Sequence, residues 1–137
     1  MRLLLDTNVC IDVLRGHPEV TARFRNHSPS DLCISAITTF ELIQGAGRAP
    51  EPYRAIERKK VDTFLAPMIT VPFDGKCGQL AGEINADLLK DGKQVGVMDV
   101  FIAATAVGMD VPVVTSNVRY FSKIKGLEVI DWREYRP

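Results

Sequence analysis

Three acids occupy positions that a folded chain ordinarily denies to charge. Asp6 ends the apolar run Leu3-Leu4-Leu5, and Asp99 is the only charged residue between Lys93 and Asp110. Glu41 lies in a helix-like stretch, residues 35–43, with apolar neighbours on either side. Carboxylates are rarely buried unless paired or bound to metal, and none of the three has an adjacent Lys or Arg. A divalent cation is the simplest neutraliser. An all-oxygen donor set selects a hard ion, Mg²⁺ or Mn²⁺, whereas zinc would want His or Cys as well. Such a site suits phosphodiester hydrolysis: the ion activates a water and offsets charge on the phosphate, which bare carboxylates would repel.

The elements that must position these acids are legible as alternating patterns. Residues 2–5, 31–34, 68–71, 111–115 and 127–130 are short Leu/Ile/Val-rich runs of the kind expected for strands buried on both faces. Between them lie helical patterns at 8–15, 18–26, 36–46, 53–66, 74–90 and 97–107. Pro18 opens the second, and Ser35 is a fitting N-cap for the third, which is expected to end at Gly45 and Gly47. The last is expected to stop at Gly108. Strands alternating with helices predict an α/β fold with a mostly parallel sheet covered on both faces. In such sheets the ligand site lies beyond the carboxyl ends of the strands, so acids far apart in sequence can meet on one rim.

Each acid also has a plainer reading. Asp6 would cap a helix starting near Val9, Asp99 would complement a helix dipole from its first turn, and Glu41 would be an ordinary surface residue. Jointly these readings are less attractive, because all three must hold at turns that the α/β pattern brings to one edge. Helical spacing places Glu41 on the face of Ile37, Phe40 and Gln44, inward or at the rim. If the acids converge, two unit charges about 5 Å apart at an effective dielectric of about 20 repel by roughly 3 kcal/mol. That is a large share of the ~5–15 kcal/mol that stabilises a small domain. Protons or a cation must relieve it.

The composition sets wide bounds. The 137 residues are a usual size for one domain spanning 1–137, and 17 basic residues balance 17 acidic ones. Zero net charge counts mildly against a nucleic-acid partner unless the basic residues gather on one face. Cys10, Cys33 and Cys77 follow no paired-Cys metal spacing and read as reduced core fillers. His17 and His27 read as surface residues away from the acids. Neither a secretory signal nor a run of membrane-spanning length is visible, so a soluble, cytoplasmic protein with no membrane partner is expected.

Four blocks of residues resemble the PIN-domain ribonucleases, in particular the VapC-type toxins of bacterial toxin–antitoxin pairs. They are Leu5-Asp6-Thr7-Asn8-Val9; the segment from Ser35 to Leu42 with Gly45 following; Asp99-Val100-Phe101-Ile102-Ala103-Ala104; and the segment from Val114 to Phe121 before Ile124-Lys125-Gly126-Leu127. The resemblance runs the full length, and its blocks keep the family's order and spacing. It implies a PIN-like three-layer sandwich with about five strands. It also implies that Asp6, Glu41 and Asp99 bind Mg²⁺ or Mn²⁺ and activate water. Thr7, Asn8 and Thr115 match polar positions that hydrogen-bond those carboxylates or metal-bound waters. Asn117 and Tyr120 stand where many members carry an acid, so Asn117 offers only an amide oxygen, direct or through water, and one firmly held metal is expected rather than two. The resemblance further implies an RNA substrate, a homodimer and a cognate antitoxin that lies across the groove, with higher assembly in its company.

For RNA contact the basic residues to consider are Arg54, Arg58, Lys59 and Lys60, and Arg119, Lys123 and Lys125 beside the fourth block. Two other classes compete. A phosphotransfer or receiver-type domain wants paired acids or a late lysine that the sequence lacks. A non-catalytic PIN-like module would bind RNA or protein through a weakened metal site, yet gains nothing from a repulsive trio.

Overall fold

The computed structural model describes residues 2–133. Five parallel strands form one sheet in the order β3-β2-β1-β4-β5: β1 (Leu3–Leu5), β2 (Leu32–Ser35), β3 (Ile69–Val71), β4 (Val113–Val114) and β5 (Val129–Ile130). Seven helices connect them: α1 (Thr7–Leu14), α2 (Pro18–Arg25), α3 (Ala36–Gly47), α4 (Arg54–Leu65), α5 (Gly75–Lys90), α6 (Val97–Met109) and α7 (Val118–Phe121). A single 3-10 turn, Pro29–Asp31, leads into β2.

Period-two alternation in the strands divides the interior into two cores. Leu3, Leu5, Leu32, Ile34 and Val114 face one side, where they pack with residues of α1, α2, α3 and α4. Leu4, Cys33 and Val113 face the other, against α5, α6 and α7. The three-layer sandwich expected from sequence is therefore present. Strands β1, β2 and β4 are buried on both faces. The edge strands β3 and β5 are not: their residues are half-buried or exposed, because an edge has a neighbour on one side only.

Two glycines expected to end helices sit inside them. α6 runs through Gly108 to Met109 and ends on Asp110 in the left-handed conformation, φ 55°. Gly108 serves close packing instead, since a Cβ there would lie 3.1 Å from Leu80 Cδ1 of α5. α3 likewise runs through Gly45, and it ends at Gly47 as expected. The short helix α7 follows β4 in a stretch to which the sequence reading assigns no helix, and its buried Phe121 anchors it in the second core.

The carboxyl ends of β1, β2 and β4 open on one rim. Strand order reverses between β1 and β4, the crevice where doubly wound sheets place their ligands. α3 starts on that rim at the end of β2 and contacts α1, α6 and β3, so one helix links both sides of the crevice.

Phe121 is fully buried and ties the turn after β4 to the sheet. Phe121→Ala is expected to lower stability by about 3–5 kcal/mol in urea unfolding. A loss under about 1 kcal/mol would mean that α7 is not anchored through this core.

Candidate active site

Asp6 is a carboxylate that the chain buries at an electrostatic cost. It is 1 % exposed and caps α1, where its Oδ1 accepts the Thr7 backbone N–H at 2.8 Å. Its Oδ2 accepts the Thr115 hydroxyl from the end of β4, also at 2.8 Å. Thr115 in turn accepts the Asn117 backbone N–H at 2.9 Å. One carboxylate thus ties β1, α1 and β4 together at the crevice. Burial pushes its pKa up to about 6; the Thr115 hydrogen bond opposes the rise, the charge of Asp99 adds to it, and Glu41 contributes in the same direction.

Glu41 approaches from α3. Thr7 Oγ1 donates to Glu41 Oε1 at 2.7 Å and lies 3.0 Å from Thr38 Oγ1. Thr7 has one hydroxyl proton and gives it to Glu41, so Thr38 must be the donor in the second contact. Thr38 is fully buried and belongs to the site, yet it was not singled out from sequence. The signal was its place three residues before Glu41, on the same helical face. That face is also rotated from the expected one. Thr38, Leu42 and Ala46 point inward, Glu41 is half-buried at the rim, and Phe40 and Gln44 are exposed.

Asp99 is the third residue of α6, half-buried. Burial and then the charge of Glu41 raise its pKa, so a first-turn position does not compensate for its surroundings. Asp99 makes no side-chain hydrogen bond to a described residue. The three acids thus feel one another electrostatically across the rim. Among the described residues no three acidic, His or Cys side chains already stand together as a finished metal cage.

No described ion pair of the chain reaches these acids. Its ion pairs among the described residues join Arg54 to Glu51, Arg58 to Asp62, Lys60 to Glu57 and Arg133 to Asp12, none of them at the rim acids. Three carboxylates with supporting hydroxyls fit a hard divalent ion by donor chemistry. Burial and then the charge of Asp6 push the Cys10 thiol up, leaving it a protonated core residue rather than a ligand.

The other expected residues fall into two groups. Asn117 is half-buried and caps α7 with Thr115 beneath it, so it stands at the rim. Asn8 is exposed and makes no hydrogen bond to a described residue. Lys60 and Glu57 line a cleft of about 530 Å³ with Glu41. Arg54 and Arg58 are held in exposed pairs along α4, while Arg119 and Lys125 are exposed beside the fourth block. The two histidines are half-buried and structural: His17 caps α2, and His27 stacks on Trp132 with ring centroids 5.3 Å apart.

Comparison with known proteins places this rim in a family. The family profile of the PIN domain matches residues 3–127, and the chain belongs to that family, among its VapC-type members. It is 35 % identical to the tRNA(fMet)-specific endonuclease VapC of Salmonella typhimurium, over 96 % of this chain and 98 % of that one. It is 33 % identical to Ribonuclease VapC2 of Haemophilus influenzae over the same shares. Among solved structures it resembles DNA-bound VapBC from Salmonella typhimurium with a TM-score of 0.88 and 35 % identity, covering 96 % of this chain and 98 % of that one. VapBC2 from Rickettsia felis, bound to a promoter DNA fragment, gives a TM-score of 0.87 at 27 % identity, covering 96 % and 99 %.

The raised pKa of Asp6 has a signed consequence. Between the ordinary value of 3.8 and about 6 the folded chain binds more protons than the unfolded one, so stability falls as pH rises through that window. In chelator, wild type is expected to gain roughly 2 kcal/mol relative to Asp6→Asn between pH 7 and pH 4. A flat difference would contradict the burial of an ionised Asp6. Asp99→Asn, which removes repulsion without removing a hydrogen bond, is expected to raise Tm in chelator at pH 7 by at least about 2 °C. An unchanged or lowered Tm would count against the mutual repulsion.

Proposed function

We propose that the protein is a ribonuclease dependent on Mg²⁺ or Mn²⁺ and the toxin of a toxin–antitoxin pair. The observation that carries this reading is the burial of Asp6 at a rim shared with Glu41 and Asp99, with no described ion pair to any of the three. The relatives named as ribonucleases support it from an independent direction.

Asp6, Glu41 and Asp99 would hold the ion, with the Asn117 amide oxygen adding to them directly or through water. A bound divalent ion supplies Lewis acidity, lowering the pKa of water and offsetting charge on the scissile phosphate. The chain's own residues prepare the ground. Thr115 and the Thr7 N–H fix both oxygens of Asp6, so the carboxylate needs little reorganisation. The Thr38–Thr7 relay holds one oxygen of Glu41 and leaves the other available. Asp99 stands at the N-terminus of α6, where the helix dipole favours its ionised form.

RNA is the substrate in this reading, and the name of the Salmonella relative makes initiator transfer RNA the first to test. Arg119, Lys123 and Lys125, beside the fourth block in sequence, would contact RNA phosphates; Arg54 and Arg58 would have to leave their pairs with Glu51 and Asp62 first. The solved VapBC structures support a cognate antitoxin as partner. A homodimer in the cytoplasm completes the proposal. No described helix is long and apolar enough to cross a membrane.

Purified protein freed of antitoxin is expected to cut initiator transfer RNA with Mg²⁺ or Mn²⁺ and to stop in chelator. Asp6→Asn, Glu41→Gln and Asp99→Asn should each reduce the rate at least roughly 100-fold, the scale of a lost metal or charge contact. Wild type that cuts no RNA with either metal would overturn the proposal in favour of a binding module.

A further inference from the structure

A second feature adjoins the acids. At the N-terminus of α6 a cleft of about 590 Å³ opens, and Asp99 forms part of its wall together with Asn85, Leu89, Gln94, Val97 and Tyr120. Leu89 and Val97 come from α5 and α6, and Tyr120 from α7, so three elements of one layer build it. Three of these walls are apolar surface left wet: Tyr120 is 43 % exposed, Val97 54 % and Leu89 57 %. Between them the amides of Asn85 and Gln94 each offer a donor and an acceptor. Lys123 Nζ lies 5.2 Å from the centroid of the Tyr120 ring.

We propose that this cleft is a subsite for one unpaired nucleobase beside the phosphate that is cut, with Tyr120 as its stacking platform. The inference rests on the ribonuclease reading and deepens it. A base is a flat body with apolar faces and an edge of donors and acceptors, and the cleft supplies one of each: an aromatic face, aliphatic walls and two amides. Its volume lies within the range of small-ligand pockets, about 300–1,000 Å³. The shared wall at Asp99 sets the geometry. Because Asp99 and Tyr120 line the same cleft, a nucleotide whose base lies against Tyr120 would carry its phosphate toward Asp99. Lys123 at the ring gives the following phosphate a cation and draws further on the π face. Only a base out of the helical stack can enter such a cleft, so the substrate is a loop, bulge or single strand. Base–aromatic stacking tolerates any base, whereas the two amides read its edge, so preference and affinity come from different walls.

The test compares wild type, Tyr120→Ala and Tyr120→Phe on total bacterial RNA with Mn²⁺. Cleavage ends are sequenced, and KM and kcat are measured on the RNA most strongly cut. Tyr120→Ala is expected to raise KM at least about five-fold, the low end of a lost base stack, with a smaller change in kcat. It should also alter the base preference at one position flanking the cut. Tyr120→Phe, which keeps the ring, should restore both. A second readout is independent of cleavage: a single-stranded RNA 12-mer carrying one 2-aminopurine, bound to Asp6→Asn protein, should lose fluorescence on stacking unless Tyr120 is also replaced by Ala. A folded Tyr120→Ala with wild-type KM and unchanged ends would overturn the subsite, as would failure of Tyr120→Phe to rescue. So would a Tyr120→Ala defect confined to antitoxin binding, which would assign the cleft to a protein. If wild type cuts no RNA, the ribonuclease reading has failed, and Tyr120-dependent quenching alone decides whether a base binds here.

Discussion

Burial of carboxylates at the end of a covered sheet, reinforced by their mutual repulsion, is the constraint on which this structure turns. Asp6 cannot move away from it. Its backbone N–H bonds to Val114 O at 2.9 Å, its Oδ1 caps α1 and its Oδ2 holds Thr115. The groups that anchor Asp6 are the same ones that close the crevice between β1 and β4. Stability and function are therefore opposed at one residue. Charge there costs folding energy in the absence of a counter-ion, and the same unrelieved charge gives a divalent ion its binding energy.

The surrounding fold limits how that strain spreads. Thr7 and Thr38 hold one oxygen of Glu41 on a helix that contacts both α1 and α6. Asp99 takes the opposite arrangement: no described hydrogen bond fixes its carboxylate, and it borders both the rim and the neighbouring cleft. A rigid acid, a relayed acid and a freer acid thus face one another. Far from the rim, Arg133 makes two hydrogen bonds to buried Asp12, at 2.8 and 2.6 Å, and ties the end of the described chain back to α1.

Much of this was legible in the residues. Five apolar runs separated by helical patterns fixed the layers, because strands covered on both faces have no polar alternation to hide them. Asp6, Asp99 and Glu41 stood out as charge among apolar neighbours. What escaped had particular causes. Gly108 reads as a helix stop, but whether a glycine ends a helix or lets a second helix approach depends on Leu80 from another element. The inward face of α3 differs from the one suggested by Phe40, since a helix that crosses the rim packs against both layers and leaves that ring outside. Thr38 is inconspicuous without the Thr7 hydroxyl opposite it. α7 is one turn long, too short for any periodicity to reveal, and with it the cleft beside Tyr120 was hidden.

The account stands most directly on where a hard ion settles. Anomalous diffraction from crystals of the protein grown with Mn²⁺ would locate it without reference to activity. The expected result is a Mn²⁺ peak on the rim, with Asp6 and Asp99 oxygens as ligands and Glu41 bound directly or through water. Well-ordered crystals with that rim free of manganese, or with manganese bound only at other surfaces, would contradict the account.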